Sequence, residues 1–152
     1  MKLILILCTL LCMPFPALAV EHFDGVFKTR GDFQDVRDSV VMAIEGKGLR
    51  ITHHNMIADM LERTGKDLGT TRKIYDYAEQ FEFCSATVSR KMLEVDPHAM
   101  VLCPYIISVY KIPDDPNIYI AYRKPPRTRN PALNKALDHV ENLLSGIIED
   151  AL

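Results

Sequence analysis

The sequence is poor in local catalytic motifs. It has no GxSxG, no HExxH and no glycine-rich phosphate loop, so no residue-level ground exists for naming a hydrolase, a zinc protease or a nucleotide enzyme. No CxxC pair is present, which argues against thioredoxin-type exchange. HxxxH and paired-cysteine spacings are absent too, so no metal site is read from the pattern. No apolar run approaches the about 20 residues that cross a bilayer. The net charge of −2 is too mild to argue for a nucleic-acid partner. Neither an internal repeat nor a Gly/Ser linker divides the 152 residues, and one domain is expected.

The first nineteen residues, MKLILILCTLLCMPFPALA, read as a cleavable leader. Lys2 is a one-charge start, Leu3 to Met13 form a short apolar run, and Ala17-Leu18-Ala19 has the small-x-small form of a signal-peptidase site. Cys12 follows Leu11 rather than the small residue a lipid anchor requires. The expectation is cleavage after Ala19, export to the periplasm, no membrane attachment after cleavage, and a mature domain over 20–152.

Helix, strand and turn signals alternate along that domain. A brief strand at Gly25–Thr29 precedes a helix capped by Asp32, with Phe33, Val36, Val40 and Ile44 at steps of three and four. Gly46 and Gly48 stop it, and Leu49–Thr52 is the next strand. Asn55 caps a second, short helix. From Ile74 to Cys84 the aromatics Tyr75, Tyr77, Phe81 and Phe83 alternate with polar residues, a strand pattern. Ser85 caps a third helix that runs to about Val95, followed by Asp96-Pro97. Met100–Tyr110 and Asn117–Tyr122 read as strands joined by the turn KIPDDP. Asn130 and Pro131 open the last helix, 131–150, with Leu133, Leu137, Val140, Leu144, Ile147 and Ile148 on one face. The order β-α-β-α-β-α-β-β-α predicts a two-layer α+β fold, a largely antiparallel sheet with helices on one face.

Cys84 and Cys103 hold the most chemistry. An oxidising compartment raises the prospect of a disulfide between them. Against it, an intervening ten-residue helix advances the chain about 15 Å. A bridge needs α-carbons within about 7 Å, which parallel neighbouring strands would not allow; an antiparallel arrangement would rescue it. Cys84 also precedes the Ser85 cap, where a helix dipole favours the thiolate; the alternative is a cysteine packed as a small apolar residue. His53 and His54 are adjacent on or beside a strand and point to opposite faces, so they do not share an ion. The basic stretch YRKPPRTRN offers either an anion contact or a solvated linker, and the linker reading is preferred. Glu79, Glu82, Asp76 and Asp96 are available acids with no nucleophile paired to them in sequence.

The segments AIEGKGLRI, FEFCSATVSRKMLEVDPHAMVLCPYIISVY and IYIAYRKP together resemble the domain-of-unknown-function 302 family, over roughly residues 36–125. The resemblance rests on Cys84 before the middle helix, the Asp96-Pro97 step, Pro104, and the Val109-Tyr110 pair. Much of the family reads Leu-Pro-Cys where this chain reads Leu102-Cys103-Pro104, with Tyr105 in the place of that cysteine. A one-residue shift on a strand changes its face, so only Cys84 carries over. The resemblance implies a small α+β fold and a homodimer, with no established activity. The apolar stripe of the last helix also needs cover, from its own domain or from a second subunit.

The reading that results is an exported module that binds a small ligand or a partner protein through the sheet face and the start of the Cys84 helix. Cys84, Ser85 and Tyr105 are its candidate ligand-binding residues, and the cofactor and any reaction are unnamed. A thiol-dependent redox enzyme using Cys84, and a protein that handles copper or zinc, are the alternatives.

Overall fold

The computed structural model describes residues 23–152. The leader, with Cys8 and Cys12, lies outside the described residues. The elements in chain order are β1 (Val26–Thr29), α1 (Phe33–Gly46), β2 (Ile51–Met56), α2 (Ile57–Asp67), β3 (Tyr77–Phe83), α3 (Ala86–Val95), a 3₁₀ segment (Pro97–Leu102), β4 (Tyr105–Lys111), β5 (Ile118–Tyr122) and α4 (Pro131–Ala151). The strands form one five-stranded sheet in the order β1-β5-β4-β3-β2, and every neighbouring pair is antiparallel. This is the α+β architecture expected from the order of elements.

One face of the sheet is closed by helices. Ile107 and Val109 of β4, Ile118 and Ile120 of β5, and Phe83 of β3 are fully buried against Val40 and Ile44 of α1, Met92 of α3, and Val140, Ile147 and Ile148 of α4. The whole stripe of α4, from Leu133 to Ile148, is covered within its own chain. It therefore supplies no ground for self-association. The helix starts as its sequence dictates: the Asn130 side chain accepts from the Ala132 and Leu133 backbone N–H groups at 3.0 and 3.2 Å, with Pro131 at the first position.

Three local readings differ from the structure. The strand expected over Met100–Tyr110 begins only at Tyr105, because Asp96 caps the 3₁₀ turn by accepting from the His98 N–H at 2.9 Å. Pro97 leads that turn, and the apolar residues Met100, Val101 and Leu102 fall on it rather than on a strand. The strand expected over Leu49–Thr52 lies further on, and Asn55 belongs to it. The Asn55 amide donates to the Glu82 carboxylate at 2.8 Å, so it does not cap α2, which starts without a side-chain cap. The β2 strand also bulges at Thr52, between the pairs Ile51–Phe83 and His53–Glu82. The extra residue places both Ile51 and His54, three positions apart, on the helix side.

Two glycines are required by the backbone. Gly48 ends α1 at a φ of +70°, where a side chain would be strained. Gly25 (φ +81°) leads into β1, and a β-carbon there would lie 2.7 Å from the Tyr122 carbonyl.

Candidate functional site

The register leaves the second face of the sheet open, and it resolves into three rows. The middle row crosses all five strands as Val26, Ala121, Ser108, Gln80 and Asn55, each paired with the next. Its side chains are small or polar, and the Gln80 amide donates to the Ser108 hydroxyl at 3.1 Å. On one side runs a row of the long side chains Lys28, Tyr119 and Tyr110, which ends at the buried Ala78. Tyr110 and Tyr119 stack at 5.2 Å between ring centroids, and Tyr75 meets Tyr110 edge-on at 5.5 Å. The Tyr119 hydroxyl donates to Asp115 at 2.7 Å, which fixes the far ring. On the other side lie Ile106, Glu82 and His53.

Low residues between high ones make a groove. A cavity of about 550 Å³ has Ala78, Gln80, Ser108 and Ala121 on its lining, with Tyr75, Tyr110 and Ile57 to one side and Arg123 and Lys124 to the other. The volume falls within the range of small-ligand sites, roughly 300–1,000 Å³. A smaller pocket of about 230 Å³ shares Gln80, Ser108 and Arg123 and extends to Pro104, Tyr105 and Pro125. It exists because β5 leaves the sheet after Tyr122, which is opposite Ile107, so the first two residues of β4 have no β5 neighbour. Lys124 is engaged by Asp24 and Glu141 at 3.6 and 3.5 Å, and Arg127 by Asp138 and Glu141. Two of the four basic side chains, Lys124 and Arg127, thus tie the linker to α4, while Arg123 stays at the groove.

The cysteines meet at the adjoining end of the sheet. Of the two arrangements open from the sequence, the strands take the antiparallel one, which brings the two positions together. β3 and β4 are antiparallel with Phe83 opposite Tyr105; α3 leads the chain away, and the 3₁₀ segment returns it. Cys84 and Cys103 are both free thiols. Cys84 is exposed and Cys103 half-buried, so Cys84 is not packed as a small apolar core residue. Partial desolvation pushes the Cys84 thiol above its ordinary range, the neighbouring Cys103 adds to the rise, and the Tyr105 backbone N–H opposes it. This shift runs opposite to the one a helix start favours. Behind the pair, the Cys103 thiol donates to the Ser89 hydroxyl at 3.6 Å, and Ser89 pairs with the Tyr105 hydroxyl at 3.1 Å. Tyr105 is buried on the helix side, which holds its phenol protonated to higher pH. The Ser85 hydroxyl accepts from the Val88 N–H at 3.4 Å as the α3 cap.

A polar inset interrupts the closed face. The row Phe27, Ile120, Val109, Glu79 and Met56 contains one carboxylate, 5 % exposed. It accepts a hydrogen bond from His54 Nε2 at 2.7 Å and lies 3.8 Å from Arg37 of α1. The His54 ring stacks on Phe81 at 4.6 Å. Pairing of this kind is what a buried carboxylate requires. His53 pairs with Glu82 on the opposite face, so the two histidines point apart as their adjacency implies. Among the described residues no three His, Cys, Asp or Glu side chains converge as metal ligands.

No functionally curated protein matches the chain. The fold is similar to the crystal structure of an uncharacterized conserved DUF302 protein from Bacillus stearothermophilus, with a TM-score of 0.69 at 13 % identity, over 84 % of this chain and 96 % of that one. The family model for the domain of unknown function DUF302 matches residues 26–151, from the first residue of β1 to the last of α4. The chain belongs to the DUF302 family.

Proposed function

We propose that this protein is an exported binding module whose ligand lies in the groove on the open face of the sheet. Export is inferred from the leader at residues 1–19. The observation that carries the binding site is the middle row of small and polar side chains, flanked by tyrosines on one side and by Arg123 on the other. Stacked rings accept a flat apolar body, and a guanidinium accepts an anionic head in bidentate fashion. The ligand class is therefore a small aromatic or apolar carboxylate, sulfonate or phosphate. Gln80 and Ser108 supply the polar contacts along its length.

The probe for this reading is 8-anilinonaphthalene-1-sulfonate, which carries both features. It is expected to saturate a single site on the wild-type protein. Ala121→Trp fills the floor and abolishes that binding, while Arg123→Glu weakens it about tenfold, or ~1.4 kcal/mol. Equal binding by all three proteins would overturn the assignment.

A second reading has one observation behind it. Phe23 and Val26 at the rim are exposed apolar residues, 78 % and 38 % accessible. The homodimer that the family resemblance implies would use this same face, and probe and second copy would then compete. Sedimentation with and without the probe separates the two: a dimer that the probe dissociates assigns the face to self-association as well.

A further inference from the structure

The cysteine end of the sheet has a chemistry of its own, independent of what fills the groove. We propose that Cys84 and Cys103 form a redox-active dithiol that is oxidised to an internal disulfide by exchange with a disulfide-bonded molecule. Three observations carry this. The antiparallel pairing of Phe83 with Tyr105 places the residue that leaves β3 beside the residues that lead into β4. Both are free thiols, and Cys103 is near enough to raise the cost of ionising Cys84. Their surroundings are also unequal: Cys84 is open to solvent, whereas Cys103 is half-buried and anchored through Ser89 to the buried Tyr105 hydroxyl.

That inequality assigns the roles. Cys84 loses its proton to solvent, and its thiolate attacks one sulfur of the incoming disulfide. A mixed disulfide forms, and the first half of the oxidant leaves as a thiolate that takes up a proton. Cys103 then loses its proton and attacks the Cys84 sulfur, closing the Cys84–Cys103 bond and expelling the second half, which is protonated in turn. Two protein thiols lose two electrons in all, and one external disulfide becomes two thiols. The rate follows the thiolate fraction of Cys84, which its surroundings keep low at neutral pH.

The test uses oxidised glutathione on the reduced protein, followed by acid quench, alkylation under denaturing conditions and mass analysis of the peptides carrying Cys84 and Cys103. The wild type is expected to give the linked peptide, lighter by two hydrogens, with neither thiol alkylated. Cys103→Ser stops at the glutathione adduct on Cys84, and Cys84→Ser leaves Cys103 unmodified in the folded protein. Two alkylatable thiols after prolonged incubation, or a wild type that stops at the Cys84 adduct, would overturn the proposal.

Discussion

The two faces of this sheet are built from alternate residues of the same strands, yet they do different work. In β4, Ile107 and Val109 are fully buried beneath the helices, while Ser108 between them lines the groove. In β5, Ile118 and Ile120 are buried, while Tyr119 and Ala121 face the other way. The closed face carries the apolar burial that stabilises the fold; the open face carries shape and hydrogen-bonding capacity at little cost to stability. Substitutions on the two faces should therefore separate stability from binding.

The sharpest contrast is between an inward and an outward position of neighbouring strands. Ile120→Ala leaves a cavity beneath the helices and lowers the unfolding free energy by about 2–5 kcal/mol in urea titrations. Ser108→Ala on the open face changes it by less than about 0.5 kcal/mol. Comparable losses for the two would break the division between the faces. Gly25→Ala tests the strand at the groove's rim. The positive φ and the close Tyr122 carbonyl predict a loss of about 1–3 kcal/mol, with the affinity for the sulfonate probe falling as β1 shifts. In the helical layer, Asn130→Ala removes the α4 cap at a cost of about 1 kcal/mol and leaves probe affinity unchanged. The smallest effect is on reactivity. The upward shift of Cys84 predicts an alkylation rate that still climbs above pH 8, because the reactive thiolate becomes abundant only at higher pH. A plateau below pH 8 would show a depressed thiol and restore the helix-start reading.

The closed face was legible in the sequence, and the open one was not. Helix stripes such as Leu133 to Ile148 announce themselves at steps of three and four, and capping residues at Asp32, Ser85 and Asn130 mark their starts. The alternation in QFEF, YIISVY and IYIAY also shows which residues face inward. It does not show that Gln80, Ser108 and Ala121 share one row, because that depends on the register between strands distant in sequence. The groove exists only once that register is set. The cysteine pair was hidden for the same reason: strand direction, not spacing, decides whether Cys84 and Cys103 meet. Of the residues singled out from sequence, Ser85 and Tyr105 are occupied by capping and by core packing, while Cys84 remains accessible.

Chemical-shift mapping on the ¹⁵N-labelled protein, titrated with 8-anilinonaphthalene-1-sulfonate, tests the central claim most directly. Saturable shifts are expected at the amides of Gln80, Ser108, Ala121 and Arg123, with the helix amides of α1 and α4 unmoved. Shifts centred instead on the α2 surface around Leu61, Lys66 and Thr71, where a separate pocket lies, or spread evenly over the chain, would contradict it.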